Sequence, residues 1–164
     1  MKHEIYLRCH TRILDDKVRE KREFRQPPRE LQYVLCLDSE STVLDCKQDL
    51  NFGSFQFCEA GSDGTFACLE EGLFYSDDLD PTSIEVLRKY VRNANRKRLG
   101  TKAPKLELYN RSDFVEKVMY VAIQAGAAIC AFNLPFDLSR IAVEYRVAHG
   151  AAKRDWSFVL FRYR

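Results

Sequence analysis

Asp38 and Glu40 stand on either side of Ser39, directly after the apolar run Tyr33-Val34-Leu35-Cys36-Leu37. Such a short continuous run predicts a strand covered on both faces. Side chains two positions apart on a strand leave by the same face, so the two carboxylates converge. Like charges half withdrawn from water are costly unless protonated or bridged by a cation. Mg²⁺ or Mn²⁺, hard ions that prefer oxygen ligands, are the natural bridge. Read alone, the pair is more simply two acids facing water, so the metal reading needs a second element.

That element is Ile129-Cys130-Ala131-Phe132-Asn133-Leu134-Pro135-Phe136-Asp137-Leu138, which reads as a buried strand, a short turn and the start of a helix. Pro135 suits the turn, and Asp137 falls in the first helical turn, beside the strand ends. Parallel strands of α/β sheets end on a common edge where sites gather, so Asp137 is expected to reach the cation cluster of Asp38 and Glu40. Without a metal, Asp137 would simply favour the positive end of its helix, and Asn133 would be a turn residue.

Leu37-Asp38-Ser39-Glu40-Ser41-Thr42 resembles the D-x-E first motif of the DEDD, or DnaQ-like, 3′–5′ exonucleases. Ala131-Phe132-Asn133-Leu134-Pro135-Phe136-Asp137 resembles their second motif, N-x-x-F-D, and the likeness extends over residues 32–150. The resemblance implies a ribonuclease H-like fold in which Asp38, Glu40 and Asp137 coordinate two Mg²⁺ or Mn²⁺ ions. It implies that Asn133 and Phe136 shape the turn presenting Asp137, and that Ser39 and Ser41 line the pocket beside the terminal nucleotide. The implied substrate is a single-stranded 3′ end, DNA or RNA, and the implied reaction is two-metal phosphodiester hydrolysis.

The family's third motif sets a His or Tyr base a few residues before a fourth Asp on a late helix. His149-Gly150-Ala151-Ala152-Lys153-Arg154-Asp155 imitates it, but with one residue too many and too soon after the second motif, so it reads as a connecting loop. No group is thereby assigned to deprotonate water. Two further readings stay open: a degenerate nuclease-fold module that binds nucleic acid or a protein without catalysis, and a metal-dependent ribonuclease H-like nuclease that cuts internally or resolves RNA hybrids. No G-x-x-x-x-G-K-[ST], G-x-S-x-G or H-E-x-x-H pattern supports other chemistry.

The elements that must position these residues follow from patterning. Residues 1–30 are polar and end in Gln26-Pro27-Pro28-Arg29; they read as a lead-in strand or N-terminal arm with a proline-stiffened linker, ahead of a domain over 31–164. A hairpin turns at Gly61-Ser62-Asp63-Gly64. Asp80-Pro81 caps a helix over 81–95 with Ile84, Leu87, Val91 and Tyr90 as its apolar stripe. A second helix begins near Ser112 and ends at Gly126. Residues 127–132 form a buried strand, 136–148 an amphipathic helix closed by Gly150, and 156–163 a final strand. This order predicts an α/β fold, a ribonuclease H-like mixed sheet of antiparallel meander plus parallel strands, flanked by helices. The last strand shows no element to cover its edge, which suggests a C-terminal remainder or a partner chain.

The 164 residues are 46% hydrophobic and 30% charged with a formal charge of +2, ordinary for a globular domain and uninformative about anionic partners. Local charge says more. Residues 88–105 carry basic side chains and no acidic one, and Arg92, Arg96, Lys97 and Arg98 are candidate phosphate contacts. The same run also complements a helix C-terminus. No apolar run reaches the ~20 residues of a membrane span. The six cysteines include no C-x-x-C pair, with Cys36 and Cys130 expected as small buried hydrophobes, so a reducing cytoplasmic setting fits best.

Overall fold

The computed structural model describes residues 4–9, 31–43, 48–147 and 156–162. The strands are β1 (Glu4–Cys9), β2 (Tyr33–Ser41), β3 (Leu50–Ala60), β4 (Phe66–Tyr75), β5 (Leu106–Asn110), β6 (Ala128–Cys130), β7 (Glu144–Val147) and β8 (Trp156–Arg162). The helices are α1 (Pro81–Lys97), α2 (Arg111–Phe114), α3 (Tyr120–Gln124) and α4 (Leu134–Ile141), with a π-helical turn over Val115–Met119 joining α2 to α3.

The five-stranded sheet runs in the order β5-β4-β3-β2-β6. β2, β3 and β4 form the antiparallel meander, while β5 joins β4 and β6 joins β2 in parallel. The chain is thus α/β with a mixed sheet flanked by helices, compatible with a ribonuclease H-like fold.

One face of this sheet carries the core. Leu35, Leu37, Phe55 and Phe74 pack against Phe114, Val115, Val118, Met119 and Ala122 of the α2–α3 run and against Leu138 and Ile141 of α4. Phe74 stacks on Phe114 with centroids 4.2 Å apart. Gly53 makes room for this pair, because a Cβ there would sit 2.5 Å from the Asp38 carbonyl and run into the Phe74 ring. Along β2 burial alternates: Leu35, Leu37 and Ser39 are buried, while Cys36, Asp38 and Glu40 are exposed.

Three expectations are corrected. The final strand has no bare edge: β8 lies between β1 and β7 in a separate three-stranded sheet, with Phe158, Val159 and Leu160 buried. The helix expected over 136–148 stops at Ile141, since Ala142 turns extended at φ −65°, ψ 140°, and the alternating Val143, Tyr145 and Val147 suit a strand that pairs with β8. The strand expected over 127–132 shortens to Ala128–Cys130 and is not fully buried. Cys36 and Cys130 are exposed neighbours across β2 and β6, and Phe132 is fully exposed. Helix α1 starts at Pro81 as expected, capped by Asp80 on the Ser83 amide at 2.9 Å, but its stripe is half-buried and Tyr90 is 59% exposed. The 149–155 loop and Gly150 lie outside the described residues.

Candidate active site

Strand β6 pairs with β2 only at Val34, Leu35 and Cys36. Beyond Cys36 the edge of β2 is left open on that side, and the turn after β6 brings α4 to it. Asp137, in the first turn of α4, closes the gap: its Oδ1 accepts the Ser39 backbone N–H at 2.9 Å and the Ser39 hydroxyl at 2.6 Å. A strand's N–H lies in the plane of its sheet, so Asp137 sits at the sheet edge. Asp38 and Glu40 leave by one face and Ser39 turns to the other.

Asp137 is 2% exposed, and its second oxygen, Oδ2, has no hydrogen-bond partner among the described residues. A buried carboxylate oxygen without a donor is costly. Its helix N-terminal position offsets part of that cost, but a directed donor or a cation would offset more. The turn is held by geometry more than by capping: the Asn133 side chain makes no cap hydrogen bond and is exposed. Phe136 is half-buried beneath the Arg140 guanidinium, 5.0 Å from the ring centroid, and Arg140 also donates to the Gln48 carbonyl. Ser41 follows a register shift after Glu40, which re-aims the strand end.

A divalent cation suits these donors in kind, since hard carboxylate oxygens are available and Asp137 Oδ2 is orphaned. It does not find them gathered. Among the described residues no three His, Cys, Asp or Glu side chains lie close enough together to hold a metal ion. The expected convergence therefore divides in two: Asp137 is brought to the residue between Asp38 and Glu40, while those two project from the exposed face. Alternation along β2 is the reason, and the burial of Ser39 was legible as that alternation.

Asp38 borders a hollow of about 340 Å³ with Ser54, Gln56, Glu71, Tyr90 and Arg98. Arg98 pairs with Glu71 at 2.5 Å and donates to the Pro104 carbonyl at 2.9 Å. Arg92 pairs with Glu85 at 2.6 Å, whereas Arg96 and Lys97 are exposed without an ion pair among the described residues. Motif reading missed Arg111, half-buried at the start of α2. It pairs with Asp77 at 2.6 Å and donates to the carbonyls of Ile141 and Leu160, tying α4 and β8 to the main sheet. No helix among the described residues is long and apolar enough to cross a membrane. Compared with protein-family models, curated proteins and solved structures, the chain matches none.

Proposed function

We propose that this chain is a metal-dependent 3′–5′ exonuclease acting on single-stranded DNA or RNA ends, with Asp38, Glu40 and Asp137 as the ligands of Mg²⁺ or Mn²⁺. The observation that carries the reading is the tie between Ser39 and Asp137, which joins the two acidic motifs and leaves Oδ2 of Asp137 buried and, among the described residues, unpartnered. Bound ions would acidify the attacking water and stabilise the leaving oxygen. The chain's own contribution is positional. Ser39 fixes one oxygen of Asp137 so that the other is offered in a single orientation. Exposed Asp38 and Glu40 would have to swing toward a cation held by Asp137 at the edge of β2, and Arg92, Arg96, Lys97 and Arg98 would supply positive charge for the phosphates.

The second reading, a nuclease-like module that binds without cutting, is favoured by the carboxylates not being gathered among the described residues. A 5′-labelled single strand incubated with Mn²⁺ separates the two. A ladder shortening from the 3′ end, abolished in Asp38→Ala, supports the exonuclease. Cleavage of a circular strand contradicts it, and binding that chelator leaves intact with no cleavage selects the module.

A further inference from the structure

A second hollow of about 570 Å³ opens where α1 ends, lined by Arg92, Asn95, Arg96, Arg98, Leu99 and Lys105, with Gly100 and Ala103 completing its rim. Its walls are held in place. The Asn95 side chain clasps Leu106 in both directions, donating to its carbonyl at 3.0 Å and accepting its N–H at 2.8 Å. Arg98 reaches the Pro104 carbonyl, and the Thr101 hydroxyl donates to the Arg98 carbonyl at 2.8 Å. The loop after α1 is thus folded back on the helix end, as a preformed binding pocket requires.

The lining is cationic and apolar, with no acidic member. Arg92 and Lys105 are paired with Glu85 and Glu107, but these are solvent-exposed partnerships, weak and readily exchanged for another anion. Arg96 has no ion pair among the described residues, and Leu99 is an exposed aliphatic side chain at the mouth. Cationic groups beside an apolar wall suit a ligand with a phosphate at one end and a flat, weakly polar group at the other. Arg98 also lines the hollow beside Asp38, together with Tyr90, so the two depressions share a wall.

We propose that the hollow at the end of α1 binds one nucleotide of a single strand, its phosphate on Arg92 and Arg96 and its base against Leu99 and Ala103. Arg98 and exposed Tyr90 mark the path from there toward Asp38. The inference rests on nucleic acid being the substrate, but not on catalysis.

Fluorescence anisotropy with fluorescein-labelled oligothymidylate and oligouridylate of about ten nucleotides, in EDTA, tests it. The expected result is that Arg96→Glu weakens binding roughly tenfold and flattens the salt dependence. Ala103→Trp, which fills the hollow without changing charge, should weaken binding as well. Lys89→Glu, the same charge change on exposed α1 surface outside the hollow, should shift it less than about twofold. Equal loss in Lys89→Glu and Arg96→Glu would mean a diffuse basic field and overturn the site, as would unaltered binding in Ala103→Trp or no binding by the unaltered chain. Oligonucleotide held in the hollow without 3′ shortening in Mn²⁺ would keep this inference and remove the exonuclease.

Discussion

Ser39 gives both its backbone N–H and its hydroxyl to the same oxygen of Asp137, at 2.9 and 2.6 Å, across 98 positions of sequence. The two hydrogen bonds are asymmetric in their effect: Oδ1 is fully engaged, and Oδ2 is buried with no donor among the described residues. Ser39→Ala removes the hydroxyl bond only. It should destabilise the chain by about 1–3 kcal/mol, as for a bond to a charged, buried acceptor, read from urea unfolding. A change below a few tenths of that range would mean that the hydroxyl is not spent on Asp137 in solution.

Gly53 is opposite Ser39 on β3, between the Asp38 carbonyl and the Phe74 ring. Gly53→Ala forces the ring off its stack with Phe114 and should cost about 1–3 kcal/mol, as overpacking does. Gly64→Ala is the useful contrast. It sits at φ +80° with open space around it, so its loss should come from backbone strain alone and leave the near-ultraviolet signal of the aromatic core unchanged.

Arg111 holds α4 and β8 by the backbone carbonyls of Ile141 and Leu160, and the turn after β4 by the Asp77 carboxylate. Arg111→Lys keeps the charge but cannot reproduce the planar fork. Hydrogen exchange should therefore speed up in β8 and at the end of α4, with little change in β2 or β3. Uniform acceleration across both sheets would contradict this hub.

Asp77 adds a pH dependence. Burial works to raise its carboxyl, but the hydrogen bonds from Ser112 and the nearby Arg111 outweigh it and hold the carboxyl below the ordinary range. A depressed acid stabilises the fold above the unfolded carboxyl value of about 3.9, and that stabilisation is lost as pH falls through the lower folded value. Stability of the unaltered chain should fall below about pH 4 more steeply than that of Asp77→Asn, measured by denaturant midpoint against pH.

How far the sequence reaches can be judged on particular residues. The apolar run at 33–37 announces β2, the Gly-rich turn announces the β3–β4 hairpin, and Asp80-Pro81 announces the start of α1, because each signal is local. The end of α4 is not local: Ala142 leaves the helix because β8, distant in sequence, offers an edge to pair with. The same holds for β8, which looks exposed in sequence and is covered by β1 from the other end of the chain. At the site, Asp38 and Glu40 on one face follow from period-two alternation. The placing of Asp137 at the sheet edge does not, since it depends on β6 being only Ala128–Cys130 and leaving the Ser39 N–H open. Arg111 and Asn95 were invisible for a related reason: Asn95 clasps the backbone of Leu106, and Arg111 reaches two distant carbonyls and an aspartate 34 positions away, none of which carries a sequence signature.

The central claim is that the unpartnered oxygen of Asp137 is a cation ligand, and Mn²⁺ titration followed by electron paramagnetic resonance tests it most directly. Free Mn²⁺ signal should disappear saturably on adding the unaltered chain. Asp137→Asn, which keeps the shape and the acceptor for Ser39, should weaken that binding at least about tenfold, the loss of one direct charged ligand, with its far-ultraviolet spectrum unchanged. Binding by Asp137→Asn equal to that of the unaltered chain, or no binding by either, would contradict the account.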